Sequence, residues 1–181
     1  MPGTFRTTAD ACDREALWLS LPGTAADGLP SLMTVDGGPW DVVQAYVPRT
    51  PANRKTQIYV VRSTVHVERF GFNRTIAAYD MSLKLRWPLS SGAGNAESDQ
   101  RAFDVAVNAL LLRIRGIGMN QPGGADKTHG GAFLQAAEGS QVTGTRGGIH
   151  VEYVDPEATI VSGLDFQATV TYSIDDRDFT D

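Results

Sequence analysis

The end of the chain carries the pattern that most constrains the fold. In residues 164–174 every second residue is apolar, and aspartate, glutamine, threonine and serine occupy the positions between them. Because successive side chains of a strand point to opposite faces of a sheet, this alternation predicts one long strand with a buried face and a solvated face. The residues behind it, 175–181, include four aspartates, and we expect them to form a solvated acidic tail.

The same alternation occurs twice in the middle of the chain. Residues 57–69 place Tyr59, Val61 and two later valines on one parity, and residues 75–87 repeat the pattern. Two such runs, separated by a short segment with glycine and asparagine, predict a long antiparallel β-hairpin. Both runs exceed the usual strand length of about 5–6 residues, so we expect part of the hairpin to extend beyond the body of the domain.

Two segments have the periodicity of helices. In residues 96–115 apolar residues recur at steps of three and four, acidic residues occupy the first turn, and a glycine follows the last turn. These features predict one well-defined amphipathic helix. Residues 10–21 predict a shorter helix with Leu17 and Leu21 among its apolar positions, and a proline and a glycine end it.

The order of these elements predicts the architecture. Residues 40–47 and 149–154 predict two further strands, and residues 116–148 contain ten glycines, which is typical of a long functional loop. We therefore expect an α+β domain with a mostly antiparallel sheet, a long β-hairpin and one main helix packed across it. Within this single globular domain we distinguish an N-terminal helix and loop segment, 1–39, from an α+β region, 40–181.

Composition excludes several classes of function. The 181 residues carry a net charge of −5, which argues against a nucleic-acid binder that reads sequence with a basic surface. The single cysteine, Cys12, rules out an intrachain disulfide and a cysteine-based zinc site. No apolar run approaches the roughly 20 residues that span a bilayer, and the N-terminus lacks the apolar core of a signal peptide. We expect a soluble protein that is made inside the cell.

Histidines and glutamates offer one alternative, a small metal-dependent hydrolase. His66 and His150 each fall on the polar parity of a predicted strand, and Glu68 and Glu152 follow two positions later on the same parity. A metal site needs further ligands that converge on one ion. We favour solvated residues of a sheet face over a metal site.

Exposure and charge favour a protein that works through its surfaces. Phenylalanines at a hairpin turn are costly in water unless a partner covers them. The chain also has a basic loop, an acidic end and cationic residues in the glycine-rich segment, all of which can contact a neighbouring subunit. The candidate interface residues are Phe70, Phe72 and Arg74 at the turn, Lys127 and His129 in the glycine-rich segment, Arg49, Arg54 and Lys55 in the basic loop, and Asp175, Asp176 and Asp178 at the acidic end.

The layout resembles the tail terminator proteins of long-tailed, siphovirus-type phages that infect actinobacteria. The resemblance lies in the end of the hairpin, Leu-Lys-Leu-Arg-Trp-Pro-Leu at 83–89, in the connector of serine, glycine and asparagine, and in the helix that contains Asp-Gln-Arg-Ala-Phe-Asp at 99–104. A glycine-rich loop and two closing strands complete it. The similarity covers residues 40–175 and is one of pattern, while residues 1–39 have no counterpart.

This resemblance implies a structural virion protein rather than an enzyme. It would form a ring, typically a hexamer, at the head-proximal end of the tail tube, where it ends tube polymerisation and docks the tail to the head. Its partners would be copies of itself, the tail tube protein and a head-to-tail connector or stopper. DNA would pass through the lumen without sequence-specific binding, and no cofactor, metal or membrane is implied. The protein would be made in the host cytoplasm and reside in the virion.

Four alternatives remain beside the terminator. A head-to-tail connector and a tube-forming tail protein share small sheet-rich domains with long loops. The metal-dependent hydrolase would use His66, Glu68, His150 and Glu152. A ligand-binding module would be a stable monomer.

Overall fold

The computed structural model describes residues 8–23, 29–49, 55–69, 74–89, 95–115, 128–129, 132–134, 149–155 and 165–179. These residues form an α+β fold with two helices and a mixed sheet. The elements follow in the order α1 (Thr8–Ser20), β1 (Val42–Ala45), β2 (Gln57–Arg69), β3 (Arg74–Trp87), α2 (Ala96–Arg115), β4 (Thr128–His129), β5 (Ala132–Leu134), β6 (His150–Tyr153) and β7 (Phe166–Phe179). A short 3-10 turn, Thr34–Asp36, precedes β1. None of the helices in the described part of the chain is long and apolar enough to cross a membrane.

The sheet is mostly antiparallel and has one parallel pair. Its strand order is β1-β2-β3-β7-β5-β4, and β6 pairs with a separate stretch of β7. β1 runs parallel to β2, whereas the other neighbouring strands run antiparallel. β4 and β5 are short, so the five strands of four residues or more carry most of the ladder. β2 and β3 pair from Gln57 opposite Arg86 to Arg69 opposite Thr75, and residues 70–73 lie outside the described residues.

One face of the sheet carries the core. Val60, Leu83 and Val170 lie side by side on β2, β3 and β7, and all three are completely buried. Residues of both helices join them in one cluster, including Leu19 of α1 and Leu110 of α2. Full burial of such a side chain contributes about 1.5–3 kcal/mol. The N-terminal helix therefore shares a core with the region after residue 40.

An aromatic group closes one end of this core. The ring of Phe103 in α2 stacks on Phe166 at the start of β7, with centroids 6.1 Å apart. Trp40 lies edge-on to Trp87 at 5.6 Å and to Phe103 at 6.4 Å. Aromatic pairs at such distances add about 0.5–1.5 kcal/mol each beyond the burial of area. The group fixes the start of α2 against the end of the sheet where β3 finishes and β7 begins.

The predicted parity of β2 is wrong in its first half. Tyr59 and Val61 pair with Lys84 and Ser82, on the face opposite the core, while Ile58 and Val60 point into it. The register shifts by one residue between Arg62 and Thr64. A bulge of this kind puts two residues of one strand against one of its partner and reverses the parity that follows. The sequence pattern cannot show this shift because both parities of β2 contain apolar residues.

The predicted acidic tail is also wrong, because β7 continues to Phe179. Asp175, Asp176 and Asp178 pair with Ala78, Ala77 and Thr75 of β3. The alternation of apolar residues ends at Ile174, the last described core residue of β7. The backbone ladder needs only a partner strand, and β3 supplies one as far as Arg74.

The outer positions of α1 differ from the prediction as well. Leu17 and Leu21 were expected on the apolar side, but they are exposed, whereas Glu15 is buried. The α1 helix therefore turns a carboxylate toward the core.

Candidate subunit interface

One of the predicted basic residues, Lys55, lies far from the acidic end of β7 within one subunit. Lys55 is exposed just before β2, at the end of the sheet where Gln57 pairs with Arg86. Asp175 pairs with Ala78, eight positions from Arg86 along β3, which is about 27 Å at a strand rise of ~3.4 Å per residue. Lys55 and the aspartates therefore cannot pair within one chain, so any contact between them has to join two subunits.

The other predicted interface residues are described only in part. Arg49 is exposed and follows β1. Arg74 begins β3 opposite Phe179, and His129 ends β4 opposite Ala132. Phe70, Phe72, Arg54 and Lys127 lie outside the described residues.

The two histidine–glutamate pairs do not converge on one ion. His66 pairs with Ala78 and His150 with Thr171, so both belong to the polar face, as expected, but two strands stand between them. Three strand spacings and four residues along the strands separate them by about 20 Å. Zinc ligands lie roughly 2.0–2.3 Å from a shared ion. No cluster of three metal-ligating side chains occurs among the described residues.

His66 instead belongs to a small polar group on this face. Its Nε2 lies 3.9 Å from Oδ2 of Asp80, and the hydroxyl of Ser173 donates to Oδ1 of the same carboxylate. Further along, Nζ of Lys84 donates to Thr169 at 3.1 Å. These contacts run across β2, β3 and β7 and leave a polar, largely hydrogen-bonded surface opposite the core.

Among the described strands, β1 has an open edge at one side of the sheet, and β6 and the two-residue strand β4 have open edges at the other side. β1 pairs only with β2, and β6 pairs only with β7. The edges of β1 and β6 lie at the same level along the strands. Ala45 of β1 is level with Val60, Leu83, Val170 and, on β6, Val151.

Beside the β1 edge lies a basic and apolar surface, which we call the β1 patch: Tyr46, Val47, Arg49 and Arg62. Tyr46 is 38% exposed and Val47 is 52% exposed. Tyr46 has a left-handed backbone, with φ at 64°, which is uncommon for a residue with a side chain. Its amide donates to Val60 O at 2.8 Å, and Nη1 of Arg62 donates to its hydroxyl at 3.3 Å. These bonds hold the patch against the sheet.

Cys12 of α1 lies behind the β1 patch. Burial raises the pKa of its thiol, and hydrogen bonds with Arg62 and Tyr46 partly oppose that rise. Partial burial also raises the pKa of Tyr46, and the nearby thiol of Cys12 adds a smaller rise. The thiol is fully buried, so it supports the patch from inside.

Acidic and apolar residues lie on both sides of the β6 edge, and we call them the β6 patch: Asp104 and Tyr153 on the side of α2, and Glu152 and Val154 on the side of the polar face. Tyr153 is 48% exposed and Val154 is 51% exposed. The ring of Tyr153 packs edge-on against Phe103 at 6.0 Å, which ties the edge strand to α2. Burial, and then the neighbouring carboxylate of Asp104, raise the pKa of Tyr153.

A buried polar cluster connects the two helices to the sheet. The hydroxyl of Tyr172 on β7 donates to Glu15 of α1. Arg113 of α2 donates from Nη2 to the carbonyl of Trp18 at 2.9 Å, and its guanidinium lies 4.7 Å above the Trp18 ring. Burial lowers the pKa of Arg113, and the carboxylate of Glu15 partly restores it. This cluster lies in the core and positions α1 and α2.

Of the candidate interface residues named from the sequence, Arg49 belongs to the β1 patch. Val47 and Val154 are not among those candidates, although each is the last, apolar residue of a short predicted strand. The sequence pattern favours a solvated residue of a sheet face over a metal ligand for Glu152, and it places Tyr153 in a strand. Pairing at the sheet edges, which the sequence alone does not give, is what identifies these residues as a surface.

No protein-family model matches this sequence, and no curated protein matches it either. The case for a function therefore depends on the residues themselves and on their arrangement. Among the described residues, the arrangement that stands out is a sheet with basic residues beside its β1 edge and acidic residues beside its β6 edge.

Proposed function

We propose that this chain is a structural virion protein whose copies form a ring at the head-proximal end of a phage tail tube. The ring, a hexamer in this proposal, ends tube polymerisation and docks the tail to the head. The observation that carries the proposal is that, among the described strands, β1 and β6 have open edges at opposite sides of one sheet.

Opposite edges favour a ring over a two-fold dimer. A dimer with two-fold symmetry uses the same surface on both subunits, whereas two different surfaces produce head-to-tail contacts. Head-to-tail contacts close into a ring when the rotation between subunits closes, and they form a filament when it does not. A sheet with different edges is suited to this kind of repeated contact.

The fold supports the same assignment. In the proposal, β2 and β3 form the long hairpin of the terminator family, and α2 is its main helix. The pairing of β2, β3 and β7 continues past Tyr79 and Ile174, the last described core residues, to Arg74 and Phe179. Strands that reach so far offer a surface along the ring axis for the tube or for the connector. The net charge of −5 suits a lumen through which DNA slides without binding.

The length of tubes tests this function. Purified tail tube protein polymerises in the presence of increasing amounts of the chain, and electron microscopy measures the tube lengths and their ends. A terminator shortens the tubes in proportion to its concentration and leaves a cap on one end. A tube protein would copolymerise and lengthen the tubes, and a connector would bind preformed ends without altering elongation.

Two results would overturn the proposal in favour of other classes. A chain that leaves tube lengths and tube ends unchanged at every ratio is not a terminator. Metal bound in equimolar amount to the purified protein, measured by elemental analysis, would favour the hydrolase instead.

A further inference from the structure

We infer that neighbouring copies of the chain meet through the β1 patch of one copy and the β6 patch of the next. This inference rests on the proposed ring and names the surfaces that build it. The occupant of each patch is thus a second copy of this chain. Three independent features of the described residues support it: charge, apolar content and the direction of the strands.

The two patches are complementary in charge. Arg49 and Arg62 make the β1 patch positive, while Asp104 and Glu152 make the β6 patch negative. The whole chain has 21 acidic and 16 basic residues, so two copies carry the same net charge of −5. Two copies attract each other where the basic β1 patch of one faces the acidic β6 patch of the other. Complementary charge of this kind favours one relative orientation of the copies over others.

The two patches also match in apolar content. Each carries one tyrosine and one valine with roughly half of the side chain in contact with water, Tyr46 and Val47 on one side and Tyr153 and Val154 on the other. Tyrosine is enriched in protein interfaces because it offers a large apolar ring with a polar end. Contact between the patches would remove all four side chains from water.

The edge strands have suitable direction and level. β1 runs parallel to β2, and the antiparallel steps through β3 and β7 give β6 the opposite direction. Copies that are rotated about an axis along the strands would therefore bring β6 and β1 together antiparallel. Val42 is level with Val154, and Ala45 with Val151, so the contact needs no shift along the axis. Repeated contact without a shift closes a ring instead of winding a filament.

Two charge-reversed variants test the contact. The first, Val47→Glu with Arg49→Glu, makes the β1 patch acidic, and the second, Asp104→Arg with Glu152→Arg, makes the β6 patch basic. Each variant alone places like charges at every contact, so we expect loss of the ring and a mass of one chain, 19.5 kDa, by light scattering. An equimolar mixture restores opposite charges at every contact when the two variants alternate. The mixture should therefore recover the wild-type mass if the ring has an even number of copies.

The controls make the same changes of charge at other exposed positions. Val35→Glu with Lys84→Glu matches the first variant, because Val35 lies in the 3-10 turn and Lys84 on the polar face. Asp36→Arg with Glu97→Arg matches the second. Both controls should form rings of wild-type mass. If the first variant fails to fold, as judged by circular dichroism, the second still tests the contact because its residues belong to other elements.

The outcomes separate this inference from the proposed function. Rings of wild-type mass formed by each charge-reversed variant alone would overturn the inference and leave the proposed ring intact. Loss of the ring in both variants without recovery in the mixture would also overturn it. A wild-type chain that never forms a ring would overturn the proposed function itself, before any variant is compared.

Discussion

The hydroxyl of Tyr172 donates a hydrogen bond to the carboxylate of Glu15, which joins the last strand of the sheet to the first helix inside the core. Tyr172 and Glu15 are 157 positions apart in the sequence, and both are almost fully buried. A hydrogen bond to a buried carboxylate contributes more than one between neutral groups. The pair therefore fastens the N-terminal helix to the region that contains the sheet.

Replacement of Tyr172 by phenylalanine should destabilise the fold. The change removes the hydrogen bond to a buried charged group while it keeps the ring, and such bonds contribute about 1.5–3 kcal/mol. Urea unfolding followed by circular dichroism measures the loss in the free energy of unfolding. Tyr153→Phe is the matched control, since that ring is half exposed, and it should change the free energy by less than about 0.5 kcal/mol. Equal effects of the two changes would contradict the assigned role of Tyr172.

The same tyrosine predicts how stability depends on alkaline pH. Burial raises the pKa of Tyr172 well above its ordinary value of 10.0, and the charge of Glu15 is the second cause of this rise. Above that value the unfolded chain releases the phenolic proton while the folded chain retains it, so rising pH favours unfolding. The contribution of the protonated Tyr172 to the free energy of unfolding is complete below pH 10. It is lost as the pH rises toward the pKa of Tyr172 in the folded chain. Between pH 8 and 11 the free energy of unfolding should therefore decrease less for Tyr172→Phe than for the wild type. Equal decreases would refute the role of the Tyr172 hydroxyl in this pH dependence.

Arg113 should be far more sensitive to replacement than an exposed arginine of the same helix. Arg113→Leu removes the hydrogen bond to the carbonyl of Trp18 and the electrostatic attraction between the guanidinium and Glu15. A hydrogen bond to a charged group contributes about 1.5–3 kcal/mol. Arg101→Leu is the control, because its pair with Glu97 is exposed, and exposed pairs contribute about 0.2–1 kcal/mol. Thermal unfolding of both variants measures the difference, and similar melting temperatures would count against a role for Arg113 in joining the helices.

The aspartates at the end of β7 provide a separate test of contacts between subunits. Exchange of Asp175 and Asp176 for lysine should weaken ring formation if they face the basic loop of a neighbour, which contains Arg49 and Lys55. Sedimentation velocity over a range of protein concentrations measures the change in assembly. The control is Asp13→Lys with Asp36→Lys, two exposed aspartates elsewhere in the chain. If the variant at Asp175 and Asp176 assembles as well as the control, these aspartates do not pair with the basic loop of a neighbouring subunit.

Local patterns in the sequence predicted the buried sides of β3, of α2 and of β7 as far as Ile174. Alternation placed Leu83 and Val170 on the buried face, and the three- and four-residue steps placed Phe103 and Leu110 on the buried side of α2. These features depend on neighbours in the sequence, so they are visible without the fold. The expected α+β class and the mostly antiparallel sheet follow from the same patterns.

Features that depend on distant partners were not predictable. The bulge after Arg62 arises from pairing with β3, and the extension of β7 past Ile174 depends on the strand beside it. The burial of Glu15 instead of Leu17 follows from the hydroxyl of Tyr172, which only the fold brings near. The two patches likewise exist because β1 and β6 are at the edges of the sheet.

The solution mass of the purified wild-type chain, measured by light scattering across a series of concentrations, distinguishes a ring from a filament and from a monomer. We predict a transition from the monomer mass of 19.5 kDa to one fixed multiple, six in the proposed ring, with no larger species as the concentration rises. A mass that increases without limit would show a filament or a tube instead of a ring. A monomer at every concentration, with and without the tail tube protein, would contradict the account.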